Sequence, residues 1–106
     1  MNPFPPNWYL FSLGQTYSLL GRYNEAIVTF NKALQRNPND FSAIIGLAMT
    51  YSFMGQKKKA RTFVMEILRL FPDFSLNDFE DTGLRLYKNK ADIERMTKAL
   101  RNAGLT

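Results

Sequence analysis

Two clusters in this sequence carry residue types capable of chemistry. Glu80 and Asp81 are adjacent acids, and a carboxylate pair of that kind holds a hard cation or shares a proton only with help from a third group. A solvated helix face is the plainer reading. Lys57-Lys58-Lys59 with Arg61 is the densest run of charge, suited to phosphates or other acidic polymers. It falls where a helix is expected to begin, and cations there oppose the helix dipole, so a solvated helix start is again the plainer reading. Neither a DNA-reading motif nor an aromatic platform for RNA accompanies the lysines, and nucleic acid is not an expected partner. The sequence has no cysteine and no histidine. That excludes disulfides, thiolate metal sites, cysteine nucleophiles and imidazole bases. No glycine-rich phosphate loop is present, and no serine has a base to activate it. The expectation is therefore a non-enzyme with no catalytic, cofactor-binding or metal-binding residues.

The elements that position these residues follow from length and periodicity. The 106 residues suffice for one small core and not for two. The formal charge of +5 is unevenly spread: residues 1–56 carry three basic and two acidic side chains, residues 57–106 eleven and seven. Met1-Asn2-Pro3-Phe4-Pro5-Pro6 has neither the basic start nor the apolar run of a signal peptide. No stretch approaches the roughly 18 apolar residues of a membrane span. A soluble, cytoplasmic chain is expected.

Shifting the sequence against itself by 34 residues superimposes Leu13 on Leu47, Tyr17 on Tyr51, Gly21 on Gly55, Ala26 on Ala60, Leu34 on Leu68 and Pro38 on Pro72. Apolar residues three, four and seven apart give each helix one buried stripe. Gly14, Ala48, Ala26 and Ala60 are small, so that paired helices can approach. Gly21 and Gly55 suit left-handed helix ends. Pro38 and Pro72 stand where second helices must stop, and Asn24 and Asp40 are the expected N-caps. This spacing predicts helices near 7–20, 24–37, 41–54 and 57–71.

The periodicity then stops. Continuing the register puts Asp78, Asp81, Thr82 and Arg85 where apolar or small residues are needed. Ser75 followed by Asp78 reads as a capping box for a helix running to about Leu86. A last helix from about Lys90 to Ala103 places Ile93, Met96 and Leu100 on one face, and Gly104-Leu105 reads as its Schellman ending. This tail is expected to cover the apolar edge that a repeat pair leaves open.

Leu10-x2-Leu13-Gly14-x2-Tyr17, Gly21, Ala26-x3-Phe30, Ala33 and Pro38, repeated as Ile44-x2-Leu47-Ala48-x2-Tyr51, Gly55, Ala60-x3-Val64, Ile67 and Pro72, resemble tetratricopeptide repeats. The large aromatic common at the fourth position of such repeats is replaced by Leu10 and Ile44. The resemblance implies an all-α superhelix filling residues 1–106 as one domain, with repeats at 7–40 and 41–74 and two C-terminal capping helices in 75–106. It also implies a concave groove lined by Trp8, Phe11, Gln15, Ser18 and Leu19 and by Ser42, Ile45, Met49, Ser52 and Phe53. The set is apolar and lacks the Lys, Arg and Asn clamp of chaperone-binding members. It suits an amphipathic helix or a proline-rich strand. Three occupants stay open: the chain itself, through Phe4 and the prolines or through the tail; an outside protein; or a second copy.

The tail has a resemblance of its own. Phe71-Pro72-Asp73-Phe74-Ser75-Leu76, Tyr87-Lys88, Ala91-Asp92-Ile93-Glu94-Arg95 and Ala99-Leu100-Arg101-Asn102-Ala103-Gly104-Leu105 resemble the C-terminal tails of bacterial class III adenylate or guanylate cyclase-like proteins. Pro5-Pro6-Asn7-Trp8-Tyr9 and Gly21-Arg22-Tyr23 resemble the start of their final repeat block. This implies a protein–protein interaction module or scaffold, the C-terminal regulatory or assembly segment of a larger bacterial signalling protein. The alternatives are a homo-oligomerisation scaffold and, less favoured, a binder of acidic polymers through residues 57–61.

Overall fold

The 34-residue period becomes two helical hairpins. In the computed structural model, residues 5–86 and 89–106 are described, and all regular structure among them is helical: α1 Asn7–Leu19, α2 Tyr23–Arg36, α3 Phe41–Phe53, α4 Lys57–Leu70, α5 Leu76–Leu86 and α6 Lys90–Asn102. Phe4, named above as a groove filler, and Tyr87-Lys88 of the tail lie outside the described residues. Helix α1 pairs with α2 and α3 with α4, while α2 and α1 both pack on α3. The remaining pair, α5 and α6, folds back so that α6 also lies on α3. The molecule measures 39 × 29 × 25 Å.

The helix ends have local causes. Gly21 and Gly55 adopt φ of 82° and 75°, values that side chains with a Cβ rarely tolerate. With them, Arg22 N–H donates to Tyr17 O and Gln56 N–H to Tyr51 O, the six-to-one bonds of a Schellman motif. The same bond pattern ends α6, where Leu105 N–H donates to Leu100 O. Asp40 caps α3 by accepting from Ala43 N–H at 3.2 Å. Ser75 and Asp78 form the expected capping box: Asp78 N–H donates to Ser75 Oγ and Ser75 N–H to Asp78 Oδ2. The tail adds a cap at Asn89, whose Oδ1 accepts from Ala91 and Asp92 N–H. One expected cap is corrected. Asn24 lies inside the first turn of α2, and Arg22 holds the N-cap position without a side-chain cap bond. The Schellman turn uses only Gly21 and Arg22 before the chain re-enters a helix. Arg22 instead pairs with Glu25 at 2.6 Å and lies over the Tyr17 ring.

Two buried clusters meet at α3. The first joins Leu10, Ala26, Phe30, Ala33, Ala43 and Leu47. Its centre is the fully buried Phe30 ring, wedged from α2 between α1 and α3. A Cβ at Gly14 would stand 2.7 Å from Phe30 Cε1, and one at Gly46 would overlap Phe30 Cζ outright. Gly14 therefore has the close-approach role its spacing predicts, and Gly46 shares it. The second cluster joins Ile44, Ile45, Ala48 and Met49 to Ala60, Val64 and Ile67 of α4 and to Ile93, Met96, Ala99 and Leu100 of α6. Every residue from Ala43 to Thr50 is buried as a result. Between α1 and α3 the Ser18 and Thr50 hydroxyls lie 3.0 Å apart. The single Thr50 proton goes to Gly46 O at 2.7 Å, so Ser18 is the donor of the pair.

Candidate functional site

Of the residues predicted to line a groove on α1 and α3, Gln15, Leu19, Ile45, Met49, Ser52 and Phe53 lie against α6 or pack with it. Gln15 Nε2 donates to Met96 Sδ at 2.8 Å. Ser52 Oγ donates to Ala99 O at 2.6 Å. The Arg95 guanidinium donates to Leu19 O at 3.2 Å, at the C-terminal end of α1 where a cation is favoured. It also stands over the Phe53 ring, 5.4 Å from its centroid, and Phe53 in turn stacks on Tyr23. Gln15, Ser18, Ile45 and Met49 are buried, and Leu19, Ser52 and Phe53 are half-buried. Over this stretch α6 covers the face on which the groove was expected.

The energy of that contact decides whether α6 acts as a lid or as part of the fold. Ile93, Met96, Leu100 and Leu105 are all at most 2 % exposed, and burying such a side chain is worth roughly 1.5–3 kcal/mol. Four of them together rival the about 5–15 kcal/mol by which a whole domain is stable. A ligand displacing α6 would have to replace nearly all of it. Leu76 N–H also donates to Thr106 O at 3.1 Å, tying the end of the chain to the start of α5.

What stays open is the other end of the face. Trp8 is 70 % exposed. Phe11, half-buried and 6.3 Å from Phe30, lines a recess of about 150 Å³ with Phe41, Ser42, Ile45, Phe74, Phe79, Thr82 and Gly83. Phe41 and Phe74 also border a wider hollow of about 560 Å³, completed by Leu70, Phe71, Pro72, Asp73 and Asp78. Phe71 and Phe74 each meet Phe41 edge to face, with centroids 5.0 and 4.9 Å away. Of the residues lining these hollows, the repeat register had named Phe11, Ser42 and Ile45. It missed Phe41, Phe71, Phe74 and Phe79, although the clustering of aromatics around Pro72 was a usable signal.

The basic run is divided by the fold. Lys57 and Lys58 are exposed at the start of α4. Lys59 lies over the Tyr51 ring at 5.4 Å, which accounts for one cation placed against the dipole. Arg61 lies against Gly104, where an added Cβ would meet its Nη1 at 2.8 Å. There it faces the C-terminal end of α6, a favourable place for a cation. Farther along α4, Glu66 and Arg69 pair on the surface, and the Arg69 hydrogen bond draws the Glu66 carboxyl below its ordinary range. An exposed pair of this kind adds little to stability. Glu80 is half-buried and Asp81 exposed. Among the described residues no three acidic side chains are grouped as metal ligands, and no helix is long and apolar enough to cross a membrane.

Paired antiparallel helices, repeated at a fixed period around a shared concave face, define an α-helical repeat protein. A family profile described as tetratricopeptide repeat matches residues 8–40, and a second of the same description matches residues 29–62. Together they span residues 8–62, and the chain belongs to the tetratricopeptide-repeat family. The second match runs from α2 through α3 into α4, starting 12 residues ahead of the second hairpin. No curated protein matches the chain. Repeats of this family serve as protein–protein interaction modules and are generally non-catalytic scaffolds.

Proposed function

We propose that this chain binds a protein partner on the aromatic open end of its concave face, around Trp8, Phe11, Phe41 and Phe71, rather than along the full groove. The observation that carries the reading is the division of that face: α6 fills the Gln15 to Phe53 half, while aromatic side chains at the other half remain in solvent. Contiguous exposed apolar surface in a folded chain marks an interaction site. Cross-linked capture with Trp8→Ala and Phe71→Ser variants tests it. Both side chains are more than half exposed, so the variants should fold and lose the partner. Capture that survives both substitutions but disappears with Lys57→Glu and Lys58→Glu transfers the function to acidic polymers.

A second reading, homo-oligomerisation, is favoured by the apolar side chains exposed on the first hairpin, Trp8, Tyr9, Leu20 and Val28. Sedimentation at micromolar concentration separates it from the first, since a monomer there removes it. The resemblance of the tail supports a place for this chain as the C-terminal regulatory or assembly segment of a larger cytoplasmic, bacterial signalling protein, such as an adenylate or guanylate cyclase. Catalysis would then belong to the upstream domain.

A further inference from the structure

We propose that the hollow bounded by Phe41, Phe71 and Phe74 takes a short peptide segment that carries a large apolar side chain beside Lys or Arg; this rests on reading the aromatic end as the binding surface. It is an open hollow whose volume, about 560 Å³, falls within the size range of ligand sites. The adjoining recess of about 150 Å³ is of a size to seat one apolar side chain. Charge identifies the flank. The chain has 14 basic residues against 9 acidic ones, yet among the described residues none lining either hollow is basic, and Asp73 and Asp78 both line the wider one.

Among the described residues neither carboxylate forms an ion pair. The ion pairs among the described residues are Arg22–Glu25 and Glu66–Arg69. Asp73 is exposed and makes no ion pair there, and the Asp78 carboxylate accepts, among the described residues, from the Ser75 backbone alone. The hollow also begins at Leu70, the last residue of α4, so the negative end of that helix points toward it. The positive end of α5 is answered by the Ser75–Asp78 capping box. A cation seated here meets ring faces and carboxylates at once.

The test titrates the whole chain with degenerate octapeptides built around a fixed Phe-Leu pair, in three pools whose flanks are Lys/Arg, Ser/Gly or Asp/Glu. The basic pool is expected to bind about tenfold or more tighter than the acidic pool, with an advantage that salt erodes. Phe71→Ser should weaken binding about tenfold. Asp73→Lys should remove the advantage of the basic pool while leaving the neutral pool nearly unchanged. Both positions are exposed, and unchanged thermal unfolding verifies the fold of each variant. Equal binding by all three pools, or a basic preference that survives Asp73→Lys, overturns the proposal. Self-association abolished by Phe71→Ser overturns it in favour of a second copy as occupant. If no pool binds but partner capture still depends on Trp8 and Phe71, the charged-peptide inference falls while the binding surface stands. If capture is also indifferent to both, the two readings fall together.

Discussion

At the scale of single residues, fit around Phe30 carries the sharpest consequence. Gly46→Ala places a Cβ inside the Phe30 ring, and overpacking of that kind costs about 1–3 kcal/mol. The urea midpoint should fall accordingly, and an unchanged midpoint means that Phe30 has room to shift. Asp40 holds two ends at once: it caps α3 through Ala43 N–H and accepts from Asn7 Nδ2 at 2.6 Å, tying the start of α1 to the start of α3. Asp40→Ala should therefore cost about 1–2 kcal/mol, the upper part of the range for a lost cap, whereas Asp40→Asn, with one acceptor oxygen, should recover the cap but not the bond from Asn7. Capping was legible in the sequence because it depends on a few neighbouring residues. The role of Gly46 was not, since its repeat counterpart is Ser12 and its neighbour Phe30 lies on another helix.

At the scale of elements, the four repeat helices were readable to within one residue at each end, because a 34-residue period supplies the same punctuation twice. The tail helices were equally readable as helices, through the Ser75–Asp78 box and Gly104. Their destination was legible only in part, as one of the occupants left open for the groove. Ile93, Met96 and Leu100 announce an apolar face without naming the surface it meets, and one period of sequence offers no second copy for comparison. The expected position at the edge of the array is only part of the outcome, since α6 also fills the concave face. Leu100→Ala, which empties a fully buried site on α6, should cost about 2–5 kcal/mol. Trp8→Ala, at the open end of the same face, should stay within about 0.5 kcal/mol. Calorimetric melting of the pair distinguishes structural from interaction surface, and comparable losses would mean that Trp8 belongs to the core.

At the scale of the whole molecule, the second cluster draws on α3, α4 and α6 together, so unfolding should be a single transition rather than the stepwise loss of hairpins. A chain truncated after Phe74 should unfold over a broader range and bind a hydrophobic dye, because Ile45, Met49, Val64 and Ile67 lose their cover; a sharp, dye-free transition would show that the hairpins stand alone. The candidate surface was half legible for the same reason. Trp8 and Phe11 followed from the repeat register, whereas the hollow at Phe41, Phe71 and Phe74 arises where α5 leaves the register. The contact between Gln15 and Met96 joins positions 81 residues apart, which also sets an order of events. During synthesis the first hairpin can form from neighbouring residues alone, but the side that meets α6 stays bare until that helix has left the ribosome. For that interval the nascent chain presents Gln15, Ile45 and Met49 to whatever holds unfinished proteins, and release from such a holder is timed by the docking of α6.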